Sequence, residues 1–189
     1  MDKKTLRKVY LEKRRLLTDA EYKKRNLFLC DRLKAFVQIK GYQKIHLFFP
    51  ISKFKEVDLH SFLAWAYAQK NIQIITSVSD LVNAQMQHYI VNQRTNFGIN
   101  EWGIPEPIGA KEFDIKELDC VLVPMVIGSK TGHRIGYGKG YYDQFLMRCT
   151  EKTVFVGLNL GPLLEGEIFT EGHDISMDWM MTPFQLLRC

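Results

Sequence analysis

The chain has 189 residues, 46% hydrophobic and 25% charged, with a formal net charge of +5. That is apolar material for one core of ordinary size and argues against a disordered chain, while the charge favours anionic partners such as nucleotides and polyanionic metabolites. Cys30, Cys120, Cys149 and Cys189 show no CxxC or metal-type spacing, which predicts free thiols in a reducing cytoplasm, and no apolar run approaches the roughly 18 residues of a membrane span.

Met1 leads straight into charged residues, so no secretory leader is expected. Asp2 to Leu17 reads as a basic helix with Leu6, Val9, Tyr10, Lys13 and Leu17 on one face. Lys3, Lys4, Arg7, Lys8, Lys13, Arg14 and Arg15 crowd it. With Glu12, Asp19 and Glu21 interspersed, they read either as a solvated face or as one that seeks anions. Thr18 opens a capping box closed by Glu21, and the helix it starts should run to about Ile39 and stop at Gly41.

Ile45 to Phe49, apolar between Gly41 and Pro50, predicts a buried strand. Asp58 is positioned to cap a helix from Leu59 to Lys70, followed by a strand at Ile72 to Ile75. This β-α-β order predicts a parallel sheet covered by helices. Met86 to Val91 reads as a strand with polar interruptions. Trp102 to Pro107 is excluded from helix by its prolines and reads as a loop. Leu118 to Ile127 is the most strand-like run in the chain. A helix from Tyr141 to Cys149, a strand at Val154 to Leu158 and a short strand at Asp178 to Met181 complete the pattern, with no repeat and no shift marking a second domain.

Between the strongest strand and the last helix lies Gly128 to Asp143. Its glycines let the backbone approach a ligand and turn N–H groups toward it, the helix that follows offers its positive end, and Arg134 and Lys139 add charge. Ligands bind at the carboxyl end of such strands. The features make a polyphosphate cradle, although Lys139 is followed by Gly140, so this is not a Walker A loop, and the glycines do not match a dinucleotide fingerprint. A plain glycine hairpin joining strand to helix is the alternative. Asp143 suits Mg²⁺ beside phosphates, or simply a helix N-terminus, and Asp174 or Asp178 could meet the same ion.

The run GHRIGYGKGYYDQFL after CVLVP resembles the signature of the 5-formyltetrahydrofolate cyclo-ligase family, also called methenyltetrahydrofolate synthetase. Lys3-Lys4-x-Leu6-Arg7, Glu56-Val57-Asp58, WGIPEP at Trp102 to Pro107, and His173-Asp174 fall in the family's order, so the resemblance covers essentially the whole chain. It implies one α/β domain over residues 1–189, three-layered, with a mixed, largely parallel central sheet flanked by helices. It implies a reaction of 5-formyltetrahydrofolate with ATP and Mg²⁺ that yields 5,10-methenyltetrahydrofolate, ADP and phosphate. Lys3, Lys4 and Arg7 would contact the nucleotide, together with Arg134, Ile135, Gly136, Tyr137, Gly138, Lys139, Gly140, Tyr141 and Tyr142. Phe49 and Glu56 would lie at the folate, with Tyr137, Gly138, Lys139, Gly140 and Tyr141 shared between the substrates. Asp143 and Asp174 match the metal positions.

On chemical grounds Lys139 and Arg134 are the residues expected to stabilise the transferring phosphoryl group. Phe48, Phe49, Trp102, Tyr141 and Tyr142 are candidates for the ring slot, Phe48 being better suited to the core. No nucleic-acid or membrane partner is expected, since there is no zinc spacing, RNP-type run or clear recognition helix. A cytoplasmic monomer is the expectation.

Overall fold

A computed structural model of the chain describes residues 2–80, 85–101, 103–166, 168, 170–172 and 174–189. Trp102 and His173, both singled out by the sequence, lie outside the described residues.

Helix α1 spans Lys3–Arg15 and starts at Asp2, whose carboxylate accepts the Thr5 N–H at 2.8 Å. Helix α2, Asp19–Lys40, begins at the expected capping box: Thr18 Oγ1 accepts the Glu21 N–H, and the Glu21 carboxylate accepts the Thr18 N–H. It ends at Gly41 with φ 72°, a left-handed turn that glycine adopts without strain. The chain then runs β1 (Lys44–His46), α3 (His60–Tyr67), β2 (Gln73–Asp80), β3 (Gln85–Val91), β4 (Asn96–Ile99), β5 (Pro105–Ile108), β6 (Cys120–Pro124), β7 (Ile127–Gly128), β8 (Arg134–Ile135), α4 (Tyr141–Met147), β9 (Val154–Leu158), β10 (Trp179–Met181) and β11 (Leu186–Arg188).

Seven strands form the main sheet in the order β11-β10-β9-β6-β1-β2-β3. The five central strands are parallel; β3 and β11 close the two edges antiparallel. Alternation along each strand divides the core. Ile45, Ile74, Cys120, Leu122, Val156 and Leu158 pack on one face against α2 and α3 through Leu33, Phe36 and Phe62. On the other face Ile75, Val121, Val123 and Met180 meet Phe145 and Leu146 of α4. The result is the expected three-layer α/β arrangement with a mixed, largely parallel sheet.

Several boundaries differ from the sequence reading: β2 runs on to Asp80 instead of ending at Ile75, and α3 covers His60–Tyr67 rather than Leu59 to Lys70. β1 stops at His46: the Leu47 N–H still donates to the Ile75 carbonyl at 2.9 Å, and the apolar run then leaves the ladder at Phe48 and Phe49. The strand expected from Leu118 to Ile127 is two pieces, broken after Pro124. The segment around Pro105 and Pro107, expected as a loop, pairs as β5 with β4 in a separate ribbon. The prolines alternate with Glu106 and Ile108, so the missing N–H groups fall at every second position and the ribbon survives.

Candidate functional site

The sheet reverses its winding between β1 and β6. From β1 the chain crosses through α3 to β2 on one side, and from β6 it crosses through α4 to β9 on the other. A crevice opens at the carboxyl ends of two strands whose connections diverge in this way. Phe49 to Glu56 leaves β1 on one lip, and the glycine-rich segment follows β6 on the other.

α1 lies across that crevice. Positions 3, 7 and 14 fall within about 40° of one another on a helix with 100° per residue. Lys3 pairs with Asp174 at 2.6 Å, Arg7 Nε donates to the Gly136 carbonyl at 2.7 Å, and Arg14 is buried with its side chain turned inward. Leu6 and Tyr10 on the same side pack against Ile127, Ile135 and Ile168. The docking face therefore shares only Leu6 and Tyr10 with the stripe expected from hydropathy. Arg14, counted with the solvated cations, is 6% exposed.

Arg14 uses all three of its guanidinium nitrogens. Nε donates to the Phe54 carbonyl at 2.7 Å, Nη1 to the Met125 carbonyl at 3.0 Å, and Nη2 to the Tyr137 hydroxyl at 2.5 Å. The Tyr137 ring stacks on Phe54 with centroids 5.4 Å apart. Its hydroxyl faces the carboxyl of Glu56, which is 3% exposed and accepts the Ile51 N–H at 2.6 Å. Burial pushes the Glu56 carboxyl up from its usual range, opposed by the Ile51 N–H, the Tyr137 hydroxyl and the Arg14 charge.

At the other end of the glycine-rich segment Arg134 Nη2 donates to Asp143 at 2.7 Å and Nη1 donates to the Ile175 carbonyl at 2.5 Å, while the Ile175 N–H returns a bond to Asp143 at 3.2 Å. Asp174 is the residue before Ile175, and its own carboxylate pairs with Lys3. Lys139 and Lys4 are exposed, and neither has a hydrogen-bonding or ionic partner among the described residues. At Gly138, φ is 89°, a left-handed turn that favours glycine, and a Cβ would crowd the Arg7 guanidinium at 3.2 Å from Cζ.

The whole of residues 1–183 matches the 5-formyltetrahydrofolate cyclo-ligase family. The chain belongs to that family. A 5-formyltetrahydrofolate cyclo-ligase of Mycoplasma pneumoniae is 29% identical over 179 residues, which cover 94% of this chain and 96% of the relative. A probable 5-formyltetrahydrofolate cyclo-ligase of Schizosaccharomyces pombe is 28% identical over 188 residues, covering 91% and 90%. Among solved structures, the 5,10-methenyltetrahydrofolate synthetase of Aquifex aeolicus superposes with a TM-score of 0.85 at 28% identity, over 100% of this chain and 93% of that one.

Within the family framework, Phe49 sits half-buried at the β1 lip, its ring edge-on to Phe97 of β4 at 5.1 Å. Phe48 is buried in the core. Tyr141 and Tyr142 pack against the α4 face of the sheet, Tyr142 close to His46 and Phe145. A cavity of about 480 Å³ opens beside the β4–β5 ribbon, lined by Val78, Tyr89, Asn100 and Glu106 among others. Among the described residues no cation lines it and none of the glycine-rich segment borders it, so it does not suit phosphate; the crevice at the switch point does.

The donor chemistry fits Mg²⁺. Among the described residues no group of three or more His, Cys, Asp or Glu could cage a metal, but Mg²⁺ bound with a polyphosphate takes only one or two carboxylates. Asp143 uses Oδ1 for Arg134 and Ile175, which fixes the group and leaves its second oxygen to offer. Asp174 Oδ2 already accepts from Lys3 and from the Glu171 N–H.

Proposed function

We propose that the chain catalyses the ATP- and Mg²⁺-dependent conversion of 5-formyltetrahydrofolate to 5,10-methenyltetrahydrofolate, with release of ADP and phosphate. The observation that carries this reading is the convergence, at one switch-point crevice, of the α1 cations and the glycine-rich segment with the Phe49–Glu56 lip. One side suits a polyphosphate and the other an uncharged ring system with hydrogen-bonding edges.

The amide-like formyl oxygen is the nucleophile. It attacks the γ-phosphorus and ADP leaves. The resulting imidate-type carbon is electrophilic, the neighbouring folate amine adds to it with loss of its proton, and phosphate departs as the ring closes. Such a sequence needs positioning and charge neutralisation more than covalent help from the protein. Lys139, exposed and without a partner among the described residues, would follow the transferring phosphoryl group. Arg134 adds charge from beneath the loop and holds Asp143. Lys3, Lys4 and Arg7 serve the nucleotide, with the backbone from Ile135 to Tyr142. Asp143, with Asp174, would hold Mg²⁺, whose charge offsets that of the phosphates. Phe49 and Glu56 take the folate, Tyr137 and Tyr141 lying between the two substrates.

The test is a coupled assay of purified protein with Mg-ATP and 5-formyltetrahydrofolate, following the ultraviolet rise of the methenyl product together with ADP. Equal yields that require Mg²⁺ are expected. ADP without methenyl product would move the activity to another acyl or formamide substrate, and neither product from folded protein would sink the reading.

A further inference from the structure

Lys3 and Arg7 have a place in the nucleotide reading; Arg14, on the same face of α1, has none. It is nevertheless the most committed cation of the helix. Its three bonds go to three separate segments: the lip after β1 through Phe54, the chain between β6 and β7 through Met125, and the glycine-rich segment through Tyr137. Burying a guanidinium with no carboxylate bonded to it carries a large desolvation cost, which three well-placed acceptors offset.

The bond to Tyr137 also has a direction. Arg14 Nη2 is a donor only, so the Tyr137 oxygen accepts there and its own proton is left for another acceptor. Facing it is the Glu56 carboxyl, whose Oε2 is already fixed by the Ile51 N–H, while the Glu56 backbone carbonyl accepts from Tyr22 Oη at 2.6 Å. The stacking of Tyr137 on Phe54 keeps the phenol from swinging away.

We propose that Arg14 is a positioning residue for the folate: acting through the Tyr137 hydroxyl, it fixes the orientation of the Glu56 carboxylate at the substrate lip. The inference rests on the reading that Glu56 faces the folate. Since Tyr137 belongs to the glycine-rich segment and Phe54 to the β1 lip, the same guanidinium holds the two halves of the site in register.

The experiment measures the Kd for 5-formyltetrahydrofolate, KM for ATP, kcat and melting temperature of the intact protein and of Tyr137→Phe, Arg14→Met, Arg14→Lys, Glu56→Gln and the Arg14→Met/Tyr137→Phe double variant. Tyr137→Phe keeps the ring stack and removes one oxygen, so it tests the relay even where Arg14→Met folds poorly. The expected result is a folate Kd raised about tenfold in Tyr137→Phe with the ATP KM within about twofold. Arg14→Met should match it, and the double variant should be no worse than Arg14→Met, because both remove the same relay. Arg14→Lys should not rescue, since an ammonium cannot reach three diverging acceptors. Folate and ATP parameters falling together, or fully additive losses, would overturn the proposal. Glu56→Gln separates the two ways of failing. Normal folate affinity there means that the folate lies elsewhere. Lost affinity there with an unchanged Tyr137→Phe means that the folate is placed correctly and the relay is wrong.

Discussion

The Arg134 guanidinium and the Asp143 carboxylate, 2.7 Å apart, join the first residue of β8 to the first turn of α4 and so close the glycine-rich segment into a loop with fixed ends. The Arg134 side chain is 6% exposed and that of Asp143 20%. Truncating one partner of a buried pair strands the other charge, which costs about 3–5 kcal/mol when burial is complete. Asp143 retains some solvent, so Asp143→Asn should cost about 2–3 kcal/mol and lower the melting temperature by about 5–10 °C. The same variant should raise the Mg²⁺ concentration needed for half-maximal turnover. Calorimetry and a Mg²⁺ titration read the two effects separately, and an unchanged Mg²⁺ requirement would remove Asp143 from the metal site.

Lys139 stands in contrast. It is exposed and makes no bond among the described residues, so Lys139→Met should leave the melting temperature within about 2 °C, as a surface change does. Its ammonium is free to meet charge that develops during phosphoryl transfer. Loss of one such donor typically costs about 10²–10³ in kcat. Steady-state kinetics on the variant check this; near-normal turnover would exclude the role.

Much of this arrangement is legible in the sequence because it is local. The capping box at Thr18 and Glu21 and the glycine that ends α2 act within one turn, and the parallel strands carry their own apolar runs. Arg14 was not legible as a buried residue. It stands among other cations, and only its helical spacing from Lys3 and Arg7 pointed inward; its acceptors lie 40, 111 and 123 residues away. The stacking of Phe54 on Tyr137 was missed for the same reason. β5 was hidden by its prolines, which exclude helix but tolerate a two-stranded ribbon, and β11 by its short antiparallel return on β10. The Ile175 N–H reaches Asp143 across 32 positions, so the tie between α4 and the chain beside Asp174 was equally invisible in the sequence.

Gly138→Ala should separate the nucleotide lip from the folate lip. At φ 89° an alanine carries about 1–2 kcal/mol of backbone strain. Its Cβ would also stand 3.2 Å from Arg7 Cζ and Nη2, so the Arg7 guanidinium must give by a few tenths of an ångström, which loosens its bond to the Gly136 carbonyl. The expected outcome is an ATP Kd raised more than the folate Kd, the reverse of the pattern expected for Tyr137→Phe. Isothermal titration with each substrate alone makes the comparison.

Between the sheet and α4, His46 and His88 lie with ring centroids 5.3 Å apart, both packed on Phe145 at 4.7 and 4.2 Å. Both rings are buried, and His46 Nδ1 and both His88 nitrogens have no hydrogen-bond partner among the described residues. Burial pushes His88 down to about 4, helped by the Arg148 charge, and pushes His46 well below its ordinary value, helped by His88. The unfolded imidazoles take protons near pH 6.5, whereas the folded ones stay neutral, so the unfolded state binds more protons as pH falls. Stability from this source is complete above about pH 7 and is lost below about 6.5. For His88 alone the loss by pH 5 is about 2 kcal/mol, or about 5 °C in melting temperature. Burial of Glu56 works in the opposite sense near its own pKa, so the informative quantity is the difference between wild type and His88→Phe. That variant keeps an aromatic ring on Phe145 and removes the titration, and its melting temperature should fall less between pH 7 and pH 5. Parallel pH profiles for the two proteins would show that the buried pair does not set the acid limit of the fold.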